Sequence, residues 1–320
     1  MKGLGNAGAR LAIIGEGEDG QRIDNFLLRE LKGVPRSHVY RLVRGGEVRV
    51  NSGRVDQTYR LCAGDRVRIP PVRVSASRST RPAPPAVLAT LPILYEDAAL
   101  IAIDKPAHLA VHGGSGVAFG VIEQLRIGRP QAKFLELAHR LDRDTSGVLL
   151  VAKKRSALTA LHAAWRVGGI EKQYLALVSG AWERAGQVVS EPLHRYLTPE
   201  GERRVRIDRE GQSARTVFRR IEVGPIATLV EADLETGRTH QLRVHLAHLG
   251  TPILGDEKYG DFALNKLLAK RGLKRMFLHA CRMRMKHPLT GEQLDLVAPL
   301  PEDLSLFAQR MLKARDVEAL

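Results

Sequence analysis

The chain has 320 residues, with 50 lysines and arginines against 35 aspartates and glutamates, a formal charge of +15. With 44% hydrophobic and 27% charged residues it is neither disordered nor fibrous, and the length allows about two domains with cores of their own. Two cysteines, Cys62 and Cys281, form no CxxC pair, which excludes a disulfide scaffold and fits a reducing compartment. No apolar run reaches the length of a signal core or a membrane span, so the expectation is a soluble, cytoplasmic protein; a monomer is expected, although the sequence itself is silent on oligomeric state. A pI near 10.2 on a folded chain points to a polyanion as partner, nucleic acid before any other.

Residues 1–20 are glycine-rich without periodicity and read as a mobile tail. Residues 21–75 form a compact basic module. From Gln21 to Arg73 there are twelve Arg+Lys and five Asp+Glu, +7 of the total. In QRIDNFLLREL, Ile23, Phe26, Leu27 and Leu31 fall at helical spacing. Pro35 opens a second helix, where Val39, Leu42 and Val43 repeat it, and Gly45-Gly46 stop it. EVRVNSGRV alternates Val48 and Val50 against Glu47 and Arg49 before an Asn51-Ser52-Gly53 turn, and AGDRVRIP supplies a last strand. Arg36, Arg41, Arg44 and Arg49 fall on the polar side.

This order of elements, with its R-x-D-x-F-L opening, resembles the S4-type RNA-binding domain. The resemblance implies that those four arginines meet RNA phosphates, which positions a substrate but reads little sequence. A solvated charged face is the plain alternative.

VSASRSTRPAPPAVLATLP lacks periodicity and holds Pro82, Pro84, Pro85 and Pro92, so residues 76–92 read as a Pro-rich linker. From Ile93 to the end the pattern is α+β. ILYEDAALIAIDKP gives two short strands about a Glu96-Asp97 turn. GVLLVAKK reads as a buried strand; EKQYLALVSG, RRVRIDREG, ARTVFRRIEVG and ATLVEADLETG read as strands joined by glycine turns. Residues 117–127, 156–166 and 240–249 read as helices. Turn-linked strands argue for an antiparallel or mixed sheet core with flanking helices, not a doubly wound parallel fold.

The densest polar cluster is HRLDRDTSG, His139 to Gly147, in a loop that feeds the buried strand. On chemistry alone Asp142 or Asp144 serves as nucleophile or base, as an ion-pair partner, or as a turn former. His240, His245 and His248 lie close in sequence, but no cysteine or carboxylate completes a zinc spacing, and no metal is expected. GGSGVAFG lacks the context of a phosphate-binding loop. His139 reads as a structural hydrogen-bonding residue.

HRLDRDTSG with the hydrophobic strand and AK after it resembles the central motif of the RluA family of pseudouridine synthases. ILYEDAALIAIDKP with Val111-His112, EKQYLALVSG, TGRTHQLRVHLAHLGTPILGDEKYG and MFLHACRMRMKHPLTGE resemble the family's other motifs, in order, over most of residues 93–300. HGGSGVAFG and LAHRLDRDTSGVLLVAKKRSAL are most similar to members that modify large-subunit ribosomal RNA. One departure is His108, where the family has glycine; it concerns only local backbone geometry.

The resemblance implies a cofactor-free isomerisation of uridine to pseudouridine in 23S ribosomal RNA, with the RNA as partner. It assigns the catalytic carboxylate to Asp142, an arginine counter-charge to Arg243, and a tyrosine stacked on the uracil to Tyr174. A carboxylate buried under a flipped nucleotide needs such a counter-charge. Asp144 matches a variable position and reads as structural. Arg140, Lys172, Arg238 and His240 are expected at the substrate, and Thr239 is expected to cap the helix that carries Arg243. Two alternatives stay open: a transfer-RNA synthase with the same catalytic set, and a non-catalytic RNA-binding assembly factor.

Overall fold

The computed structural model describes residues 9–15, 18–31, 33–72, 91–113 and 119–317. Most of the expected linker, 76–90, and residues 114–118 of HGGSGVAFG lie outside the described residues. The chain divides into two compact units, 1–83 and 84–320.

The first unit holds β1 (Arg10–Ile13), α1 (Ile23–Glu30), α2 (Arg36–Arg44), β2 (Arg49–Val50) and β3 (Arg66–Ile69), with the strands antiparallel in the order β1-β3-β2. Ile23, Phe26 and Leu27 of α1 and Val39, Leu42 and Val43 of α2 fill its core with Val48, Val50, Leu61 and Val67. Asn51 and Ser52 both take positive φ, 50° and 70°, and close a two-residue hairpin between Val50 and Gly53. The tail assignment for 1–20 is corrected over its second half: Arg10–Ile13 pairs with β3, and Ile14 is buried in the core. The strand escapes a sequence reading because its two large apolar residues, Leu11 and Ile13, point outward.

The second unit runs β4 (Ile93–Glu96), β5 (Leu100–Lys105), α3 (Val121–Gly128), β6 (Glu136–Leu137), β7 (Ser146–Ala152), α4 (Arg155–Arg166), β8 (Ile170–Ser179), β9 (Gly186–Val189) and β10 (Leu193–Leu197). It continues with β11 (Arg203–Ile207), β12 (Thr216–Val223), β13 (Ala227–Leu234), α5 (Gln241–His248), α6 (Phe262–Lys270), β14 (Leu278–Lys286), β15 (Gln293–Val297) and α7 (Glu302–Met311). The main sheet has the order β4-β5-β7-β14-β8-β13-β12-β9, and β10 and β11 form a separate ribbon. The ribbon rests Leu193 and Val205 against Val244 of α5.

Every pairing in the main sheet is antiparallel except β7 with β14, so the sheet is mixed. Those two strands touch over only two residue pairs, Ser146 with His279 and Gly147 with Ala280, and then part. β6 continues along β7, and β15 along β14. Gly147 permits the approach: its φ is +110°, and a Cβ there would lie 2.2 Å from the Ala280 carbonyl oxygen. All of β7 is buried, with Leu149 and Val151 in one core layer and Val148 and Leu150 in the other. The loop before β7 is therefore mounted on the most enclosed strand of the unit.

Two helix starts differ from expectation. α3 begins at Val121, where the Glu123 carboxylate accepts the Gly120 and Gly113 N–H groups at 2.9 Å. α5 begins at Gln241 with His240, not Thr239, as its N-cap, in the left-handed region at φ 54°. The Gln241 side chain displaces the expected cap: its Oε1 accepts from Thr236 Oγ1 at 2.7 Å and from the Arg238 N–H at 3.0 Å. α6 and α7 are helices that the motifs did not mark.

Candidate active site

The His139–Thr145 loop is fixed from below. Lys105, at the end of β5 and 0% exposed, donates to the carbonyls of Pro106 and Leu109 at 2.8 Å and of Arg143 at 3.0 Å. Burial pushes the Lys105 ammonium down to about 7, but three carbonyl acceptors match the three N–H donors of the charged form. Lys105 thus ties the backbone next to Asp142 to the turn after β5. That turn contains His108, which adopts φ 61°, the left-handed conformation that suits the glycine it replaces. Its Nδ1 lies 3.1 Å from Asp144 Oδ1, so the departure also bridges the turn to the loop. Asp144 pairs outward with His108 and Arg143.

His139 accepts the Leu150 N–H at Nε2, 3.0 Å, with its ring against Trp165. Enclosure of the ring, then the charge of Lys172, pushes its pKa down to about 3, so the imidazole is neutral and anchors the loop to β7. Behind the loop, Ser146 Oγ meets His279 Nδ1 at 2.9 Å, and His279 Nε2 meets the Ala298 carbonyl at 3.1 Å.

Asp142 faces α5. Arg243 donates from Nη1 to Asp142 Oδ2 at 3.0 Å, while its Nε and Nη2 make a bidentate pair with Asp256 at 2.7 Å each. Burial alone would lower the Arg243 pKa; the Asp256 pair and Asp142 raise it instead, so the guanidinium stays charged. Asp256, 1% exposed, also accepts the Lys258 and Tyr259 N–H groups. Burial works against its charge, but Arg243 outweighs this and holds the carboxyl below its ordinary range. The Tyr259 ring lies under the Arg243 guanidinium at 5.1 Å. Its hydroxyl accepts the Val205 N–H and meets His240 Nδ1 at 2.8 Å. The other ring nitrogen of His240, Nε2, lies 3.8 Å from Asp142 Oδ2.

A cavity of about 790 Å³ brings together Asp142, Tyr174, Arg243, Arg140, Lys172, Arg238 and His240. Tyr174 and Lys172, two apart on β8, share one face of the strand. Burial, then the charge of Asp142, raises the Tyr174 pKa, so this residue is a neutral phenol and not a resident base. Arg140 and Arg238 are exposed, and Arg238 is steadied by the Ser213 carbonyl at 2.9 Å. His245 is turned away to Thr216 Oγ1 and the Glu191 carbonyl, so the three histidines around α5 do not converge. Arg36, Arg41, Arg44 and Arg49 belong to the first unit and are exposed there. Asp256, Lys105 and Tyr259 were not singled out from sequence; the only signal was that Asp256 and Tyr259 stand in the GDEKYG segment and Lys105 in IDKP.

Fold and cavity together define an α+β unit with a carboxylate held by a buried arginine at the wall of its cavity. Residues 99–248 match the family model described as RNA pseudouridylate synthase, and residues 21–67 match the S4 domain. The chain is 50% identical over 312 residues to ribosomal large subunit pseudouridine synthase C of Escherichia coli (strain K12), covering 96% of this chain and 98% of that protein. It is 51% identical over 303 residues to the protein of the same name from Pasteurella multocida (strain Pm70), covering 93% of each. Among solved structures, human RNA pseudouridylate synthase domain containing 4 superposes with a TM-score of 0.57 at 29% identity, covering 69% of this chain and 92% of that one. Human RNA pseudouridylate synthase domain containing 1 gives 0.56 at 27% identity, over 68% and 86%. The chain belongs to the RNA pseudouridylate synthase family, and carries an S4 domain in front of the synthase unit.

Proposed function

We propose that this protein isomerises particular uridines of large-subunit ribosomal RNA to pseudouridine, with Asp142 acting on a nucleotide flipped into the cavity. The observation that carries the reading is the Asp142–Arg243–Asp256 chain beside Tyr174: a charged carboxylate kept available by a guanidinium that is itself locked. The curated relatives, whose names specify the large ribosomal subunit, match over nearly their full length, which supports that substrate over transfer RNA. In the reaction the N1–C1′ bond breaks, the base turns, C5 joins C1′, and C5 loses a proton while N1 gains one. Atoms and electrons balance within the uridine, so the isomerisation needs no external oxidant or reductant. Asp142 serves as nucleophile or base at the sugar or base, and Tyr174 gives the uracil a flat neutral surface. Arg140 and Arg238 at the rim take flanking phosphates, and the His240 ring stands beside Asp142 at the cavity wall. Arg36, Arg41, Arg44 and Arg49 of the S4 unit bind phosphates further along the RNA. The protein acts as a monomer in the compartment that holds ribosomal RNA, the cytoplasm.

Asp142→Asn is the test. The amide keeps the volume but is neither base nor nucleophile, so turnover is lost while RNA binding persists. Turnover in the variant at stoichiometric binding moves the role elsewhere. Mapping pseudouridine in ribosomal and transfer RNA from a deletion strain decides the substrate: missing sites in large-subunit RNA support the reading, and missing sites confined to transfer RNA overturn it.

A further inference from the structure

We propose that the Lys172 ammonium is a further catalytic group, which meets the negative charge that collects on the uracil ring as its N1–C1′ bond breaks. The proposal rests on the functional reading above. Lys172 is 8% exposed and lines the cavity on the same face of β8 as Tyr174. Among the described residues, no carboxylate pairs with it and no protein acceptor takes a hydrogen bond from it, and its Nζ is not sealed in but opens to the cavity. The contrast with two other buried cations is plain: Lys105 satisfies three carbonyls, and Arg243 is shared by two carboxylates. Most of the side chain is buried, which pushes the ammonium down to about 8, while its tip stands at the cavity wall uncommitted to any acceptor among the described residues. It is therefore free to meet a group that enters the cavity.

Phosphates are not that partner, because they belong to the RNA backbone and meet the exposed arginines at the rim. The group that reaches the depth of Tyr174 is the base, and uracil is neutral until it leaves. When the N1–C1′ bond opens, its electron pair goes to N1 and spreads to O2 and O4, while the sugar is left electron-poor. Asp142 answers the charge on the sugar and Lys172 the charge on the base. When C5 bonds to C1′, the pair returns to a covalent bond and Lys172 is unpaired again. An interaction that exists only while charge is separated lowers the barrier and leaves affinity alone.

Charged and titratable groups face Lys172 from every side of the cavity: His139 and Asp142 from the loop, Tyr174 from its own strand, and His162 and Arg166 from α4. Glu235 and Arg238 follow β13, and His240 and Arg243 mark the start of α5. Burial, not any of these neighbours, is what makes the ammonium lose its proton early in the alkaline range.

The experiment compares full-length wild type with Lys172→Met and Lys172→Arg in single-turnover assays at saturating RNA, with RNA affinity measured separately. Lys172→Met should lose roughly a hundredfold in rate with little change in affinity. Wild-type rate should fall above about pH 8, and Lys172→Arg, which stays charged, should carry its activity to higher pH. A Lys172→Met enzyme that is as fast as wild type at saturation, or that loses only affinity, overturns the proposal. If the methionine variant does not fold, an alkaline limb left unmoved in Lys172→Arg overturns it instead. An inactive Asp142→Asn beside a fully active Lys172→Met sinks this inference and leaves the functional reading standing; an active Asp142→Asn sinks that reading itself.

Discussion

Arg243 meets Asp142 at 3.0 Å across 101 positions of sequence, and the pairing is single-pronged because Asp256 takes the two other faces of the guanidinium. The arginine is thus aimed by one carboxylate at the other. Asp256→Ala leaves a buried guanidinium half-unpaired, and removing one partner of a buried pair costs about 3–5 kcal/mol. The variant should unfold at lower denaturant and lose at least tenfold in single-turnover rate. Arg243→Lys should be equally slow, since a point cation does not span both carboxylates. A stable, fast Asp256→Ala enzyme would show that Arg243 needs no such aiming.

Gly147→Ala tests the seam between β7 and β14. The added Cβ meets the Ala280 carbonyl at 2.2 Å, backbone against backbone, at a φ of +110°. Neither strand has a side chain to move aside, so soluble yield should collapse, or the thermal midpoint fall by many degrees. A near-normal midpoint would mean the seam opens without harm.

His139 gives the fold a pH dependence with a definite sign. Unfolded, it takes up a proton near pH 6.5; folded, not until about 3. The unfolded state binds more protons across that window, so the stability His139 contributes is lost as pH falls from 6.5 towards 3. His245 and His279, also lowered by burial, act in the same direction. His139→Gln should lower stability at pH 7 but reduce the fall in thermal midpoint between pH 7 and 4.5. An undiminished fall would assign the acid sensitivity to the other histidines.

The exposed arginines of α2 test the S4 unit. Replacing Arg36, Arg41 and Arg44 with alanine leaves Val39, Leu42 and Val43 buried, so the fold should be retained. RNA affinity should fall, and the slope of log affinity against log salt should flatten by about 0.7–0.9 for each phosphate no longer neutralised. The saturated single-turnover rate should stay within a few-fold of wild type. An unchanged salt slope would make this a solvated face.

The polar cluster from His139 to Gly147 marked a loop of interest in the sequence, but its chemistry alone did not choose between Asp142 and Asp144. Asp142, Tyr174, Lys172 and Arg243 came from the resemblance of their motifs, and the cavity brings those four together. Asp256 was not legible: a lone acid in a turn looks like a turn former, and only the bidentate geometry gives it another meaning. β1 was missed because its apolar side chains face outward. α6 buries only Leu268 and so has no apolar stripe to read, whereas Leu304, Phe307, Ala308 and Met311 of α7 do stand at helical spacing. The parallel pairing of β7 with β14 had no local signal at all, since it depends on what each strand meets far along the chain.

That pairing also sets the order in which the enzyme comes alive. Ser146 and His279 are 133 positions apart, and strands so distant are expected to associate late, after nearer pairs such as the β12–β13 hairpin have closed. A chain growing from the ribosome carries Asp142, Tyr174 and Arg243 well before β14 is made. Until then β7 has an open edge, and the loop it supports lacks its rear wall of His279 and Ala298. At ordinary synthesis speeds the interval from Asp142 to Ala280 lasts roughly seven to thirty seconds. Competence therefore arrives only when nearly the whole polypeptide exists, and fragments ending before β14 should bind nothing productively, however complete their motifs.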